Sequence, residues 1–277
     1  MADECGLLNL ASCIPEKIYE FILNIINAPI KPLLELTKSL LVEPIRIDTI
    51  APVWAIVIYI ISLFYGILIL YSGFNFMISG YDAAKRARAK QWFQNIFVMI
   101  VLVQCSYFLY YLCVDVSSLM TAGVINLVDE NFFLLTADNI TNIGLQFFFG
   151  MFYLFGILIC VLLLTLRYLF VLAGLVFFPI GIFFYFIPAT KEYGKFIFNS
   201  LGVYLLVPFF DGLIFLICSR MLEIPAFENF KILVMIAAFS IVNFLMFYLI
   251  IFSLIKSAIR ATSEDVRIVT KIAGWFA

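Results

Sequence analysis

Two ionisable side chains, Arg167 and Asp211, lie deep inside long apolar stretches of the sequence. A charge at the centre of a bilayer costs roughly 3 kcal/mol unless it is paired or hydrated, so both residues are candidates for substrate or ion binding. An ion pair between them is one hypothesis, although their predicted depths differ. The structural alternatives are that Arg167 extends along its helix to the membrane surface, and that Asp211, beside Pro208 and Gly212, caps or bonds a neighbour.

Four cations form a second group of candidates. A polar connection between two apolar stretches contains Lys85, Arg86, Arg88 and Lys90. Such a basic loop attracts anionic lipid or nucleic acid. The simpler interpretation is that the four charges only determine the orientation of the chain in the membrane.

The residue types that most enzymes need are missing. The sequence contains no histidine, the commonest general base and metal ligand. Asp82 and Asp211 do not fit the paired aspartates of an intramembrane protease, because Asp82 lies in a polar connection. The chain also has no Walker motif. We therefore predict a protein that is not an enzyme and that has neither a cofactor nor a metal site.

The elements that hold these residues are predicted to be membrane helices. Hydrophobic residues make up 65% of the 277 residues and charged residues 13%, compared with about half and a quarter in soluble domains. Uncharged stretches of about 20 residues match the apolar core of a bilayer. The predicted fold class is all-α, a polytopic helical membrane protein.

The number of spans depends on one long stretch. Four spans are predicted directly, at Pro52–Ser79, Trp92–Val114, Phe196–Ser219 and Ile232–Ile255. If residues 145–188 cross twice, the total is six and the basic tail lies outside. If they cross once, with a re-entrant or broken segment near Pro179 and Gly181, the total is five and the tail is inside. Because Lys and Arg favour the cytoplasmic side, we prefer five.

The same rule predicts the orientation. The basic loop at Lys85–Lys90 is cytoplasmic, whereas Asp115–Thr141 carries only acidic charges and lies outside. The N-terminus is then outside and the C-terminus in the cytoplasm. The predicted location is the cytoplasmic membrane, with the chain as a multi-pass protein.

Amphipathic segments flank the spans. Two are predicted at Pro15–Asn27 and Lys31–Val42, separated by Pro29, and a third begins at a Ser263 cap. The predicted organisation is therefore an extracellular or interfacial region at 1–51, a transmembrane domain at 52–255, and a cytoplasmic interfacial tail at 256–277. Cys5 and Cys13 lie in the external region, where a disulfide between them is possible.

A pattern of small, aromatic and basic residues runs along the chain. Its first residues are Trp54-Ala55-Ile56, Ser62–Gly66, Gly73-Phe74, Ser79–Asp82, Lys85-Arg86, Ala89-Lys90 and Trp92. The later ones are Arg167-Tyr168, Phe178–Gly181 and Tyr193–Lys195. In this pattern the sequence resembles archaeal membrane proteins related to the TrbL family, the polytopic inner-membrane core component of conjugation and type IV secretion machines, with CedA-like DNA import proteins as another relative.

This resemblance implies a platform or channel subunit for DNA or protein transfer. It also implies a homo-oligomer in membrane lipid, partnered by a separate secretion ATPase, pilin-like subunits and translocated DNA. A secondary transporter or ion channel is the alternative, and a structural scaffold is a second one. A transporter typically shows inverted repeats and a charged site at mid-membrane, whereas this sequence shows no convincing repeat and only Asp211 as such a site.

Overall fold

The computed structural model describes residues 10–43, 45–133, 143–228 and 230–276. All regular elements in these ranges are helical, which confirms the predicted fold class. The helices are α1 (Leu10–Val42), α2 (Ala51–Ile78), α3 (Ala83–Gln104), α4 (Ser106–Ile125), α5 (Ile143–Phe186), α6 (Lys191–Met221), α7 (Pro225–Glu228) and α8 (Lys231–Phe276). Short 3₁₀ turns occur at Ile47–Ile50, Ser79–Tyr81 and Glu130–Phe133.

Five helical segments in the described ranges are long and apolar enough to cross a membrane. They are Ile47–Ile78, Ser106–Ile125, Phe148–Phe186, Lys191–Met221 and Lys231–Phe252. The chain is therefore a multi-pass membrane protein. The second segment begins later than the predicted Trp92–Val114, because α3 starts with charged and amide side chains and its apolar half continues into α4 across Cys105.

The predicted break at Pro179 and Gly181 is wrong, because α5 continues through both residues to Phe186. Proline removes one backbone hydrogen bond, and a membrane helix packed against neighbours tolerates this loss. Gly181 serves helix packing instead, since a Cβ at this position would lie 2.9 Å from Ile197 Cγ2. An unbroken α5 contains no turn for a second crossing, so five candidate spans replace the six-span alternative.

The amphipathic ends also differ from the prediction. Helix α1 passes through Pro29 as one helix, and its buried side chains Ile30, Thr37 and Leu41 keep one face packed. Helix α8 continues past Ser263 to Phe276, because no proline or glycine interrupts the sequence from Lys231 to Ala273. Ser263 is therefore not a helix cap.

The chain divides into two compact units. Unit 1 comprises residues 1–43, 118–166 and 208–247, and unit 2 comprises residues 44–117, 167–207 and 248–277. Helices α4, α5, α6 and α8 contribute residues to both.

The core of unit 1 is aromatic. The rings of Phe215 and Phe239 lie 5.0 Å apart, and Tyr153 packs 5.4 Å from Phe239. The Tyr153 hydroxyl donates a 2.8 Å hydrogen bond to the carbonyl of Phe133, which satisfies the one polar group of that buried ring. Asn243 Nδ2 donates a 2.8 Å bond to the carbonyl of Gly156 and ties α8 to α5.

The core of unit 2 is aliphatic, with Ile58 and Ile61 of α2 packed against Ile96, Met99 and Val103 of α3. At its edge the Trp54 indole Nε1–H donates a 2.9 Å bond to Ser106 Oγ. Helix α2 is peripheral, since only 6% of the most apolar 18-residue stretch of this segment is buried within the chain. Its remaining surface is left for lipid or another protein.

Candidate functional site

Arg167 is the buried cation of unit 2. Its side chain lies on α5 within the candidate span Phe148–Phe186, and only 5% of the residue is exposed. The Nε–H donates a 2.9 Å hydrogen bond to the carbonyl oxygen of Tyr204 on α6. Arg167 therefore does not extend to the surface of the chain, as the membrane-surface interpretation requires.

The sequence of α6 explains why the Tyr204 carbonyl accepts this bond. A helical carbonyl accepts from the N–H four residues later, and for Tyr204 that residue is Pro208, which has no N–H. Arg167 supplies the missing donor. The next carbonyl, that of Leu205, accepts a bond from the Ser117 hydroxyl of α4. Two side chains from two other helices thus support the turn of α6 that precedes its proline.

Tyr110 of α4 brings a third polar contact into the same region. Its hydroxyl donates a 2.6 Å bond to the carbonyl of Val171, one turn along α5 from Arg167. The side chains of Tyr110 and Arg167 also interact electrostatically. This contact depends on Gly174, because a Cβ there would lie 2.2 Å from Tyr110 Oη and 2.7 Å from Leu201 Cδ2. Gly174 permits Tyr110 to lie between α5 and α6.

The stacked rings of Phe170 and Tyr204, 5.0 Å apart, complete this polar cluster, which consists of Tyr110, Ser117, Arg167 and Tyr204. These three hydrogen bonds, donated by Tyr110, Ser117 and Arg167, each end on a backbone carbonyl of a packed helix. An arginine held in this way joins helices and shields a helix irregularity.

Asp211 is the buried anion of unit 1 and has no exposed surface. It lies on α6 in the candidate span Lys191–Met221. A Cβ added at the following residue, Gly212, would lie 3.4 Å from the nearest side-chain atoms of Ile125, which is an ordinary van der Waals distance. Arg167 and Asp211 belong to different units, and an ion pair between them stays a prediction.

The basic residues Lys85, Arg86, Arg88 and Lys90 are all exposed, but they do not form a loop. They lie in the first two turns of α3, which begins at Ala83 because the Asp82 carboxylate accepts from the Ala84 N–H at 2.9 Å and caps the helix. Alanine, arginine and lysine then continue the helix because all three favour it. We call these four residues the α3 basic cluster.

Part of this cluster lies at an electrostatically unfavourable position. The N-terminal end of a helix carries partial positive charge within its first turn, so Lys85 and Arg86 destabilise α3 by about 0.5 kcal/mol each, less where salt screens them. Arg86 offsets part of this cost by donating to the carbonyl of Gly80. Arg88 and Lys90 lie in the second turn, where this effect is small.

The remaining predicted residues are Pro179, Gly181, Cys5 and Cys13. Pro179 and Gly181 belong to the continuous α5. Cys5 lies outside the described residues and Cys13 is described only as part of α1, so the disulfide stays a prediction. Within the described part of the chain, no group of three or more histidine, cysteine or acidic residues is placed to hold a metal ion.

The sequence pattern does not single out four residues of this region, namely Tyr110, Ser117, Gly174 and Tyr204. One signal was available for Tyr204, since a proline inside an apolar stretch leaves the carbonyl four residues earlier without its donor.

The chain matches no protein-family model, no curated protein and no solved structure.

Proposed function

We propose that this protein is a membrane-embedded platform or channel subunit of a type IV secretion-like or conjugation-like machine that transfers DNA or protein. In this role it forms a homo-oligomer in the cytoplasmic membrane and works with a separate ATPase and pilin-like subunits. Its N-terminus lies outside and its C-terminus and the α3 basic cluster lie in the cytoplasm. The α3 basic cluster is the observation that carries the proposal.

The cluster supports this role because its four cations are all exposed within a six-residue stretch of one helix. A cytoplasmic site of four cations suits an acidic ATPase surface or the phosphates of a nucleic acid. Two other cations predicted on the same side also lie near the start of a helix, α6, but each has a partner within the chain. Lys191 lies 5.5 Å from the centroid of the Tyr185 ring, and Lys195 pairs with Glu192 of its own helix.

The residues of the TrbL-like resemblance give further support. Five of these residues come from four helices, and all five belong to unit 2. They are Trp54, Trp92, Phe178, Gly181 and Gly194. Trp92 packs against Tyr71 with 4.9 Å between ring centroids, and a Cβ at Gly194 would lie 2.4 Å from the Tyr185 backbone nitrogen. A pattern that is spread along the sequence thus belongs to one compact unit of the chain.

A transfer assay in the native host tests the proposal. Cells that lack the gene are complemented with wild type, with Arg88→Gln/Lys90→Gln, or with the control Lys191→Gln/Lys195→Gln. Each variant removes two positive charges, but only the first removes them from the α3 basic cluster. At about 1 kcal/mol per charge, we expect partner binding to weaken about 30-fold and transfer to fall with it. Equal transfer by all three chains would contradict the proposal.

A secondary transporter or ion channel is the second candidate, and the buried Arg167 and Asp211 favour it. Ionisable residues inside candidate spans often mark ion or substrate paths. Ion flux into vesicles that contain the purified protein distinguishes this candidate. Flux that is lost in Asp211→Asn and kept in Asp115→Asn would favour it over a platform.

A further inference from the structure

One exposed side of α3 carries cations at its start and apolar side chains along the rest of its length. The buried side of this helix is marked by Ala89, Ile96 and Val103. A different side is followed by five exposed residues at intervals of three or four, which places them in one row along the helix. They are Arg86, Lys90, Phe93, Phe97 and Val101, and we call them the α3 outer stripe.

The apolar part of the α3 outer stripe lies at the level of the membrane interior. The rings of Phe93 and Phe97 lie 5.0 Å apart, which confirms that both residues are on the same side of α3. On the buried side, Met99 packs with Ile61 of α2, so this half of α3 runs beside the candidate span Ile47–Ile78. The exposed fraction of Phe97 is 52%, and its surface is left for lipid or another protein.

The cationic end of the stripe belongs to a segment with a net charge of three positive units, since residues 82–90 contain four cations and one acid. That acid, Asp82, accepts from the backbone N–H groups of Ala84 and Lys85. Arg86 donates to the Gly80 carbonyl, which is a neutral acceptor. No further acidic residue occurs in the sequence before Asp115. The positive charge of this segment therefore exceeds what its own acid can balance.

The dimensions of the stripe match one leaflet of a bilayer. Lys90 and Val101 are eleven residues apart, or about 16 Å along the helix axis, and half of a hydrocarbon core about 30 Å thick is nearly the same length. Trp92 packs against Tyr71, with 4.9 Å between ring centroids, at the point where the cations end. Such aromatic side chains are enriched at the membrane surface. The stripe thus extends from the headgroup level towards the middle of the membrane.

One class of ligand satisfies both parts of the stripe. A free phosphate or a nucleic acid would contact the cations and leave Phe97 and Val101 uncovered. A lipid without net charge would cover the apolar part and leave the positive charge unbalanced. We propose that the α3 outer stripe binds an anionic phospholipid, with its phosphate at Arg86 and Lys90 and one acyl chain along the apolar part.

This inference goes beyond the transfer role and does not depend on it. Arg88 lies two residues from both Arg86 and Lys90, so it projects from another side of α3. Arg88 is exposed there, and a bound lipid leaves it accessible to a further anionic partner.

Photolabelling of the purified full-length protein in phosphatidylcholine nanodiscs tests the proposal. The two probes are phosphatidylglycerol and phosphatidylcholine with the same diazirine-bearing acyl chain, and mass spectrometry locates the crosslinks. We expect the phosphatidylglycerol probe to label Phe93 and Phe97 at least about fivefold more than the phosphatidylcholine probe. Leu63 and Ile67, exposed residues of α2, are the internal control and should be labelled equally by both probes.

Two results on the wild-type protein would overturn the proposal. One is equal labelling of Phe93 and Phe97 by the two probes. The other is competition by inorganic phosphate as effective as competition by unlabelled phosphatidylglycerol, because the site would then recognise a phosphate without its acyl chains.

Matched variants locate the headgroup. Arg86→Gln/Lys90→Gln should reduce the preference for phosphatidylglycerol to about twofold or less. Lys85→Gln/Arg88→Gln removes the same charge from other sides of α3 and should keep most of the preference. An unchanged preference in Arg86→Gln/Lys90→Gln, with an unaltered gel-filtration profile, would reject the site. If that variant does not fold, the comparison of the two probes on the wild-type protein decides alone. Neither an ATPase nor a nucleic acid is present, so the result is independent of the transfer proposal.

Discussion

The Nε–H of Arg167 donates a 2.9 Å hydrogen bond to the carbonyl oxygen of Tyr204. This oxygen is the one that Pro208 deprives of its helical donor. A buried carbonyl without a donor costs about 1–3 kcal/mol, so the bond compensates for an irregularity of α6. The most unusual side chain of the sequence is therefore explained by a proline on another helix.

A double-mutant cycle tests this relationship. Pro208→Ala restores an N–H to the Tyr204 carbonyl, so the loss of Arg167 should matter less in that background. We expect Arg167→Met to lower the apparent unfolding temperature less in Pro208→Ala than in wild type. The coupling should be about 1 kcal/mol, or roughly 3 °C for a chain of this size. Thermal unfolding in detergent measures it.

The control for this cycle is Arg220→Met, which removes a cation from an exposed pair with Glu223 on the same helix as Pro208. Its effect should be small and independent of Pro208→Ala. Additive effects of Arg167→Met and Pro208→Ala would show that the hydrogen bond does not compensate for the proline.

The contact between Gly174 and Tyr110 makes a second prediction. Gly174→Ala places a Cβ within 2.2 Å of the Tyr110 hydroxyl, so it should destabilise the protein by about 1–3 kcal/mol through overpacking. Gly202→Ala is the matched control. An added Cβ there meets nothing within 4 Å, so the substitution should be neutral or stabilise the helix by about 0.5 kcal/mol.

Thermal unfolding compares the two glycine variants, and Tyr110→Phe gives a further check. It removes the hydroxyl that the new methyl group meets first, so part of the Gly174→Ala defect should disappear in the double variant. Equal stability of Gly174→Ala and Gly202→Ala would mean that α4 and α5 are not packed as described.

The proposed orientation makes a third prediction. In a cysteine-free background, a cysteine at Lys85 should react with a membrane-impermeant maleimide only after the cells are permeabilised. A cysteine at Leu127, an exposed residue in the turn after α4, should react in intact cells. The reversed pattern would place the α3 basic cluster outside and remove its access to a cytoplasmic ATPase.

Much of the fold is predictable from the sequence because apolar length alone determines a membrane helix. The uncharged stretch around Trp54–Leu70 leaves no alternative to a span, and α2 forms there. Proline is less informative in a membrane protein. It was expected to end or break helices at Pro29 and Pro179, yet both α1 and α5 continue, because neighbouring helices compensate for one lost bond.

The candidate site is less predictable. The sequence shows that Arg167 is unusual and that Pro208 leaves one carbonyl without a donor, but pairing the two requires the packing of α5 against α6. The contact between Tyr110 and Gly174 has no sequence signal, since a tyrosine and a glycine in apolar helices are ordinary. The capping role of Asp82 is readable in advance, because an aspartate directly before a helix-forming segment is a common N-cap.

The most direct test of the transfer-machine proposal is affinity purification of the tagged protein from native membranes in mild detergent, followed by mass spectrometry. The proposal predicts a secretion-type ATPase and pilin-like subunits among the bound proteins, with the ATPase reduced about 30-fold in Arg88→Gln/Lys90→Gln and unchanged in Lys191→Gln/Lys195→Gln. A homo-oligomer without an ATPase would contradict the proposal and favour a transporter or channel.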